Sequence, residues 1–142
     1  MDILEFKGDY RFLSNMYKAL FYIDRKLYIS VEHWYQANKT LDHLIYETIR
    51  LCKNGMVAKR IGNSPEIELR PDWEEVKLDI MYTGVLNKFK QNDYIRKRLL
   101  ATGYSKLIEG NYWHDQYWGV CNGVGNNHLG KILMKVREEL RI

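Results

Sequence analysis

The chain has little of what staples, breaks or anchors a fold. Two cysteines, Cys52 and Cys121, occur in 142 residues, with no C-x-x-C pair and no zinc-finger spacing. A disulfide framework is excluded, and the thiols read as reduced ones in a cytoplasmic protein. Both prolines, Pro65 and Pro71, fall in one stretch, "NSPEIELRPDW". That stretch reads as the longest loop, yet it is not linker-like enough to divide the chain, so one domain over 1–142 is expected. No run approaches the roughly 20 apolar residues of a membrane span. The opening "MDILEFKGDYRF" lacks a basic region followed by a long apolar one, so no signal peptide and no membrane partner are expected. The histidines His33, His43, His114 and His128 form no H-E-x-x-H or other ligand spacing, and neither a metal nor a cofactor is expected. A strong charge of either sign is missing too. The balance of 22 basic and 18 acidic residues, with a pI near 9.0, suits a phosphate-bearing ligand but falls short of a duplex-binding footprint.

Aromatic residues are abundant: four Trp, eleven Tyr and four Phe. Many belong to a core, and Tyr and Trp also suit a wet pocket that stacks a base. "ILEF" reads as a short strand and "ALFYIDRKLYIS" as a hairpin around 24–26, although Asn-Gly is missing. Ser30 caps a helix running to about Thr40. Short helices follow over 42–53, ended by Asn54-Gly55, and over 57–61, ended by Gly62. The longest helix spans about 72–91. It has one stripe of Trp73, Val76, Ile80 and Gly84 and another of Leu78, Met81, Val85 and Phe89. Asp93 caps the next helix, and "KLIEG" reads as a strand. Leu129, Ile132, Leu133, Val136 and Leu140 mark the last helix. Strands do not alternate with helices, so the expected class is α+β, mostly helical, with a small sheet.

Three segments bear on chemistry. "GNNHLGK", 125–131, matches G-x-x-x-x-G-K, but Ile132 stands where a P-loop needs Ser or Thr, and the apolar face begins inside it. What remains is either a helix N-terminus that meets a phosphate or a plain Asn-capped turn. "EGNYWHDQYWGV", 109–120, packs aromatic rings with titratable groups before a glycine-rich turn. It is either a binding loop or a loop whose rings plug the core. "SVEHWYQANK", 30–39, puts Glu32 in a first helical turn, with Gln36 as its i+4 neighbour and Lys39 close by. Such a glutamate is either a surface residue answering the helix dipole or part of a site.

Taken in order, "YRFLSN", "SVEHWYQANK", "AKRIG", "LLATG", "LIEGNYWHDQYWGV" and "LGKILM" resemble the YbiA-like, or NADAR, family over nearly the whole chain. The resemblance implies an α+β enzyme that hydrolyses N-glycosidic bonds without a metal. Its substrate is either a ribosylamino-pyrimidine phosphate intermediate of riboflavin biosynthesis or ADP-ribose carried on guanine in nucleic acid. It also implies site residues. Glu32 and Asp115 are the catalytic pair. Asn15 hydrogen-bonds the ligand, Lys59 and Arg60 meet phosphate, and Trp113 and Trp118 border base or ribose, with His33 and His114 assisting. Trp34 departs from the small residue expected there, and Met16-Tyr17-Lys18 departs from a Phe-Pro pair, which bears on substrate choice. The competing class is a non-catalytic ADP-ribose or nucleotide-binding module. Two carboxylates in a pocket argue against it, since each repels phosphate.

Overall fold

A computed structural model describes all 142 residues, Met1–Ile142. Three of its helices begin where short polar side chains take up orphaned N–H groups of the first turn, whereas Asp72 and Asn127, before two others, make no such side-chain bond and Asp93, expected as a cap, is the first residue of its helix. Ser30 caps Val31–Ala37 (α1) by accepting from the His33 N–H. Asp42 caps His43–Arg50 (α2) through Leu44 and Ile45. Asn54 caps Gly55–Gly62 (α3) through Val57. Trp73–Gln91 (α4) buries Trp73, Met81, Gly84, Val85 and Phe89. Leu78, expected on the same face, is exposed, because the buried face is narrower than two full stripes. Asp93–Ala101 (α5) and His128–Glu139 (α6) complete the helices. A 3-10 helix, Gly8–Leu13, buries Phe12 and Leu13.

The strands are short. Phe21–Ile23 (β1) and Lys26–Tyr28 (β2) pair antiparallel, Phe21 opposite Tyr28. Asp24 and Arg25 turn the hairpin with φ of 51° and 69°, so two left-handed residues build the tight turn without Asn-Gly. Gly110–Asn111 (β3) and Val120–Cys121 (β4) pair parallel. The expected "ILEF" strand shrinks to one bridge, Ile3 to Leu107. The class is α+β and mostly helical, as expected, with two small sheets in place of one.

Two compact units divide the chain: the unbroken segment Asn15–Asn92, and Met1–Ser14 joined to Asp93–Ile142. The first holds β1, β2 and α1 to α4, centred on α1, every residue of which is buried. The second holds the 3-10 helix, α5, β3, β4 and α6 around Phe12, Leu99, Leu107 and Leu133. No helix is long and apolar enough to cross a membrane.

Candidate active site

Helix α1 is short and polar, yet enclosed, so its polar groups need internal partners. The Trp34 indole N–H donates to the Ile80 carbonyl (2.7 Å), and its ring meets Tyr28 edge-on at 5.0 Å. Gly84 makes that possible: a Cβ there would stand 2.4 Å from Trp34 Cδ1. Trp34 is therefore a strut between α1 and α4. Tyr35 packs on Trp73, ring centres 5.1 Å apart.

His33 is fully buried. Its Nε2 lies 3.1 Å from the Cys52 carbonyl, and its Nδ1 lies 2.7 Å from Ser30 Oγ. A carbonyl only accepts, so Nε2 carries the proton and Nδ1 accepts from the Ser30 hydroxyl. Burial pushes the imidazole pKa down, with the Cys52 hydrogen bond opposing more weakly. A neutral ring engaged at both nitrogens holds the helix start to the α2–α3 turn. It has no nitrogen left for the ligand contact that the family resemblance implied.

Glu32 is not a surface residue answering a dipole: it is 8% exposed. Its N–H donates to the Asn15 carbonyl (3.0 Å), and Gln36 Nε2 donates to Glu32 Oε2 (2.6 Å). The start of α3 lies close against it, with the position of a Gly55 Cβ only 3.4 Å from Glu32 Cβ and 2.7 Å from Met16 Sδ. Asn15 thus serves the glutamate through its backbone. Its side-chain Nδ2 reaches Met81 Sδ at 3.4 Å, and its Oδ1 is buried with no hydrogen-bond partner.

One lysine lies within electrostatic reach of the glutamate. Lys39 Nζ donates to Asn63 Oδ1 (2.8 Å) and lies 5.4 Å from the centre of the Tyr35 ring. Burial pushes the Lys39 ammonium pKa down, Glu32 holds it up, and Lys59 and Lys77 push it down again. Lys39 thus lies within electrostatic reach of Glu32, Lys59 and Lys77, the last of which is paired with Glu74 (2.7 Å). Arg60, expected beside Lys59, is exposed. Gln36, Lys39 and Lys77 were not anticipated as site residues. The first two had a signal, lying four and seven positions after Glu32, on the helix and just beyond its end.

The aromatic loop of the other unit is organised by Asp115. Its Oδ1 accepts from the Tyr117 and Trp118 N–H groups (3.1 and 2.9 Å), while Asn111 brackets the Asp115 backbone from both sides. Trp118 is half-buried, edge-on to Tyr117 at 4.8 Å. Trp113 and His114 are exposed, His114 with φ of 69°. The N–H groups of His128 and Leu129 donate to the Tyr117 and Trp118 carbonyls (3.1 and 3.0 Å). The start of α6 is thus tied to the loop, which speaks for a plain turn over a phosphate cradle, but not an Asn-capped one: the Asn127 amide accepts from the Glu109 N–H, donates to the Leu107 carbonyl and caps nothing. No group of three His, Cys, Asp or Glu side chains is placed to hold a metal ion.

The class these features define is a small, mostly helical α+β protein with a buried glutamate held by Gln36 and within electrostatic reach of Lys39. The family model described as NADAR domain matches residues 5–141, and the chain belongs to that family. It is 41% identical over 135 residues to N-glycosidase YbiA of Shigella boydii, covering 94% of this chain and 84% of that protein. It is 36% identical over 131 residues to riboflavin biosynthesis protein VVA0006 of Vibrio vulnificus, covering 92% of this chain and 35% of that protein. The solution NMR structure of the Escherichia coli protein YbiA superposes with a TM-score of 0.88 at 38% identity, covering 99% of this chain and 83% of that one.

Proposed function

We propose that this protein is an N-glycosidase that cleaves the bond between a phosphorylated ribose and a nitrogen base, with Glu32 as its catalytic carboxylate. The observation that carries the reading is the enclosure of Glu32: a carboxylate only 8% exposed, fixed at its N–H and at Oε2. Burying a charge is unfavourable unless it is partnered or used. Relatives named N-glycosidase at 41% identity give the reaction class.

In such a hydrolysis the C–N bond breaks with its electron pair passing to nitrogen, and positive charge builds on the ribose. Water's oxygen then bonds to the anomeric carbon, and one water proton ends on the departing base. A fixed carboxylate stabilises the cation and orients the water. Lys39, Lys59 and Lys77 supply positive charge for the phosphate, a role that leaves the exposed Arg60 aside. The substrate that fits the riboflavin-named relative is a ribosylamino-pyrimidine phosphate. The two free thiols accord with a cytoplasmic setting.

A second substrate is favoured by one observation. Tyr112 and Trp113 are exposed, 5.2 Å apart edge-on, with the Lys7 ammonium 5.1 Å from the Tyr112 ring centre. Exposed rings beside a cation can stack bases, which suits ADP-ribose carried on guanine in nucleic acid. Product analysis by mass spectrometry separates the two. Wild type and Glu32→Gln are incubated with a ribosylamino-pyrimidine phosphate and, in parallel, with an ADP-ribosylated guanine oligonucleotide. Ribose 5-phosphate from the first, absent with Glu32→Gln, is the expected result. ADP-ribose from the second transfers the assignment to nucleic acid. Binding of both with release from neither makes the protein a binding module.

A further inference from the structure

Gln36 stands one helical turn after Glu32. Its Nε2 donates to Glu32 Oε2 over 2.6 Å, and the residue is 3% exposed. The other end of the amide, Oε1, is buried and receives no hydrogen bond. A glutamine serving only to knit the fold would engage both ends, because an unpaired buried carbonyl weakens the native state. Here the donor is committed to one carboxylate oxygen, and no protein donor meets the acceptor.

Gly62, the last residue of α3, is shaped around this arrangement. A Cβ there would stand 2.0 Å from Gln36 Oε1 and 2.9 Å from Gln36 Cδ. Gly62 is not one of the left-handed glycines, so the position requires space and not a special backbone angle. Even alanine would evict the amide from its place beside the glutamate.

We propose that Gln36 is a positioning residue for Glu32, and that Gly62 is the residue that lets it reach. An amide nitrogen can only donate, so it favours the ionised carboxylate over the acid and fixes the side-chain torsion. Stability is given up at Oε1 to place a donor at Oε2. The proposal rests on Glu32 being the catalytic carboxylate, so its test includes a measurement that needs no turnover.

The Glu32 side-chain carboxyl is followed by 13C NMR through a pH titration in wild type, Gln36→Leu and Gly62→Ala, beside thermal melts and kcat/KM against pH on the ribosylamino-pyrimidine phosphate. In both variants the Glu32 midpoint moves to higher pH. The acid limb of the activity profile moves with it, and kcat/KM falls about tenfold or more, chiefly in kcat. Gln36→Glu moves the acid limb further up, because two adjacent carboxylates hold a proton between them. An unmoved Glu32 midpoint overturns the proposal whatever the activity. So does a lower melting temperature with an unchanged pH profile, which is the mark of a merely structural glutamine. A shifted midpoint together with full activity in Glu32→Gln leaves the hydrogen bond real but removes the catalytic reading of Glu32, and the positioning role falls with it.

Discussion

Trp34 and Gly84 are one decision made at two positions. The indole occupies space that any Cβ on residue 84 would fill, and its N–H adds a donor to the Ile80 carbonyl inside α4. Gly84→Ala is expected to destabilise by about 1–3 kcal/mol through overpacking. Trp34→Ala costs about 3–5 kcal/mol through the cavity it leaves. In the double variant the alanine at 84 no longer meets the ring, so urea unfolding should give less than the sum. Sequence alone allowed Trp34 two fates, pocket wall or core, and could not choose, because the choice depends on a glycine fifty residues away. His33 was illegible for a related reason: its partners are Ser30, in view three residues back, and the Cys52 carbonyl, which no side-chain pattern announces. Its pH consequence has a definite sign. Burial lowers its native pKa below the ordinary 6.5, so beneath that value the unfolded chain binds a proton that the native state refuses. Its linkage penalty is absent above about pH 6.5 and grows as pH falls toward the depressed native value. His33→Gln should flatten that part of a plot of unfolding free energy against pH between 7 and 5.

At the scale of elements, caps carried most of the readable information. Ser30 and Asp42 start helices where their side chains suggested. Asn54-Gly55 was read as a stop and is a start: the same pair suits a helix exit through glycine and a helix entry through asparagine, and here Asn54 Oδ1 takes the Val57 N–H. Asn54→Ala should cost about 1 kcal/mol in thermal or chemical unfolding. Helix α1 ends at Ala37, short of the expected Thr40, because Asn38 Nδ2 folds back to the Trp34 carbonyl (2.7 Å) and closes the last turn. The aromatic loop offers a sharper test. Asp115 Oδ1 holds two N–H groups, a task that an asparagine carbonyl performs equally well. Asp115→Asn should therefore keep most of the activity, while Asp115→Ala loosens the loop and loses it. Equal loss in both would restore Asp115 as a catalytic acid or base.

Over the whole molecule, the helical α+β character was legible because periodic apolar faces run through α4 and α6. The division of the strands was not. β3 and β4 are two residues each, and their pairing of Gly110 with Val120 spans the aromatic loop, so no alternation marks them. Ile3, in an apparently ordinary opening, is 6% exposed and bridged to Leu107, with its N–H and carbonyl bonded to Lys106 and Ile108. Ile3→Ala should cost about 2–5 kcal/mol, as much as a change deep in the core. A differential scanning calorimetry trace that is unmoved by that change would contradict the packing of the Ile3 side chain, since alanine keeps the backbone bridge.

That bridge also sets an order of events during synthesis. Asn15–Asn92 is unbroken, so all of its partners have left the ribosome once residue 92 has. The segment Met1–Ser14 emerges before that unit yet must wait: the Lys106 N–H meets Asp2 Oδ1 across 104 positions. Local contacts form quickly and distant ones slowly. That segment is thus left unpaired while the glutamate-bearing unit takes shape, and its apolar Ile3, Phe6 and Phe12, buried once folding is complete, are surface that a chaperone would hold in the interval.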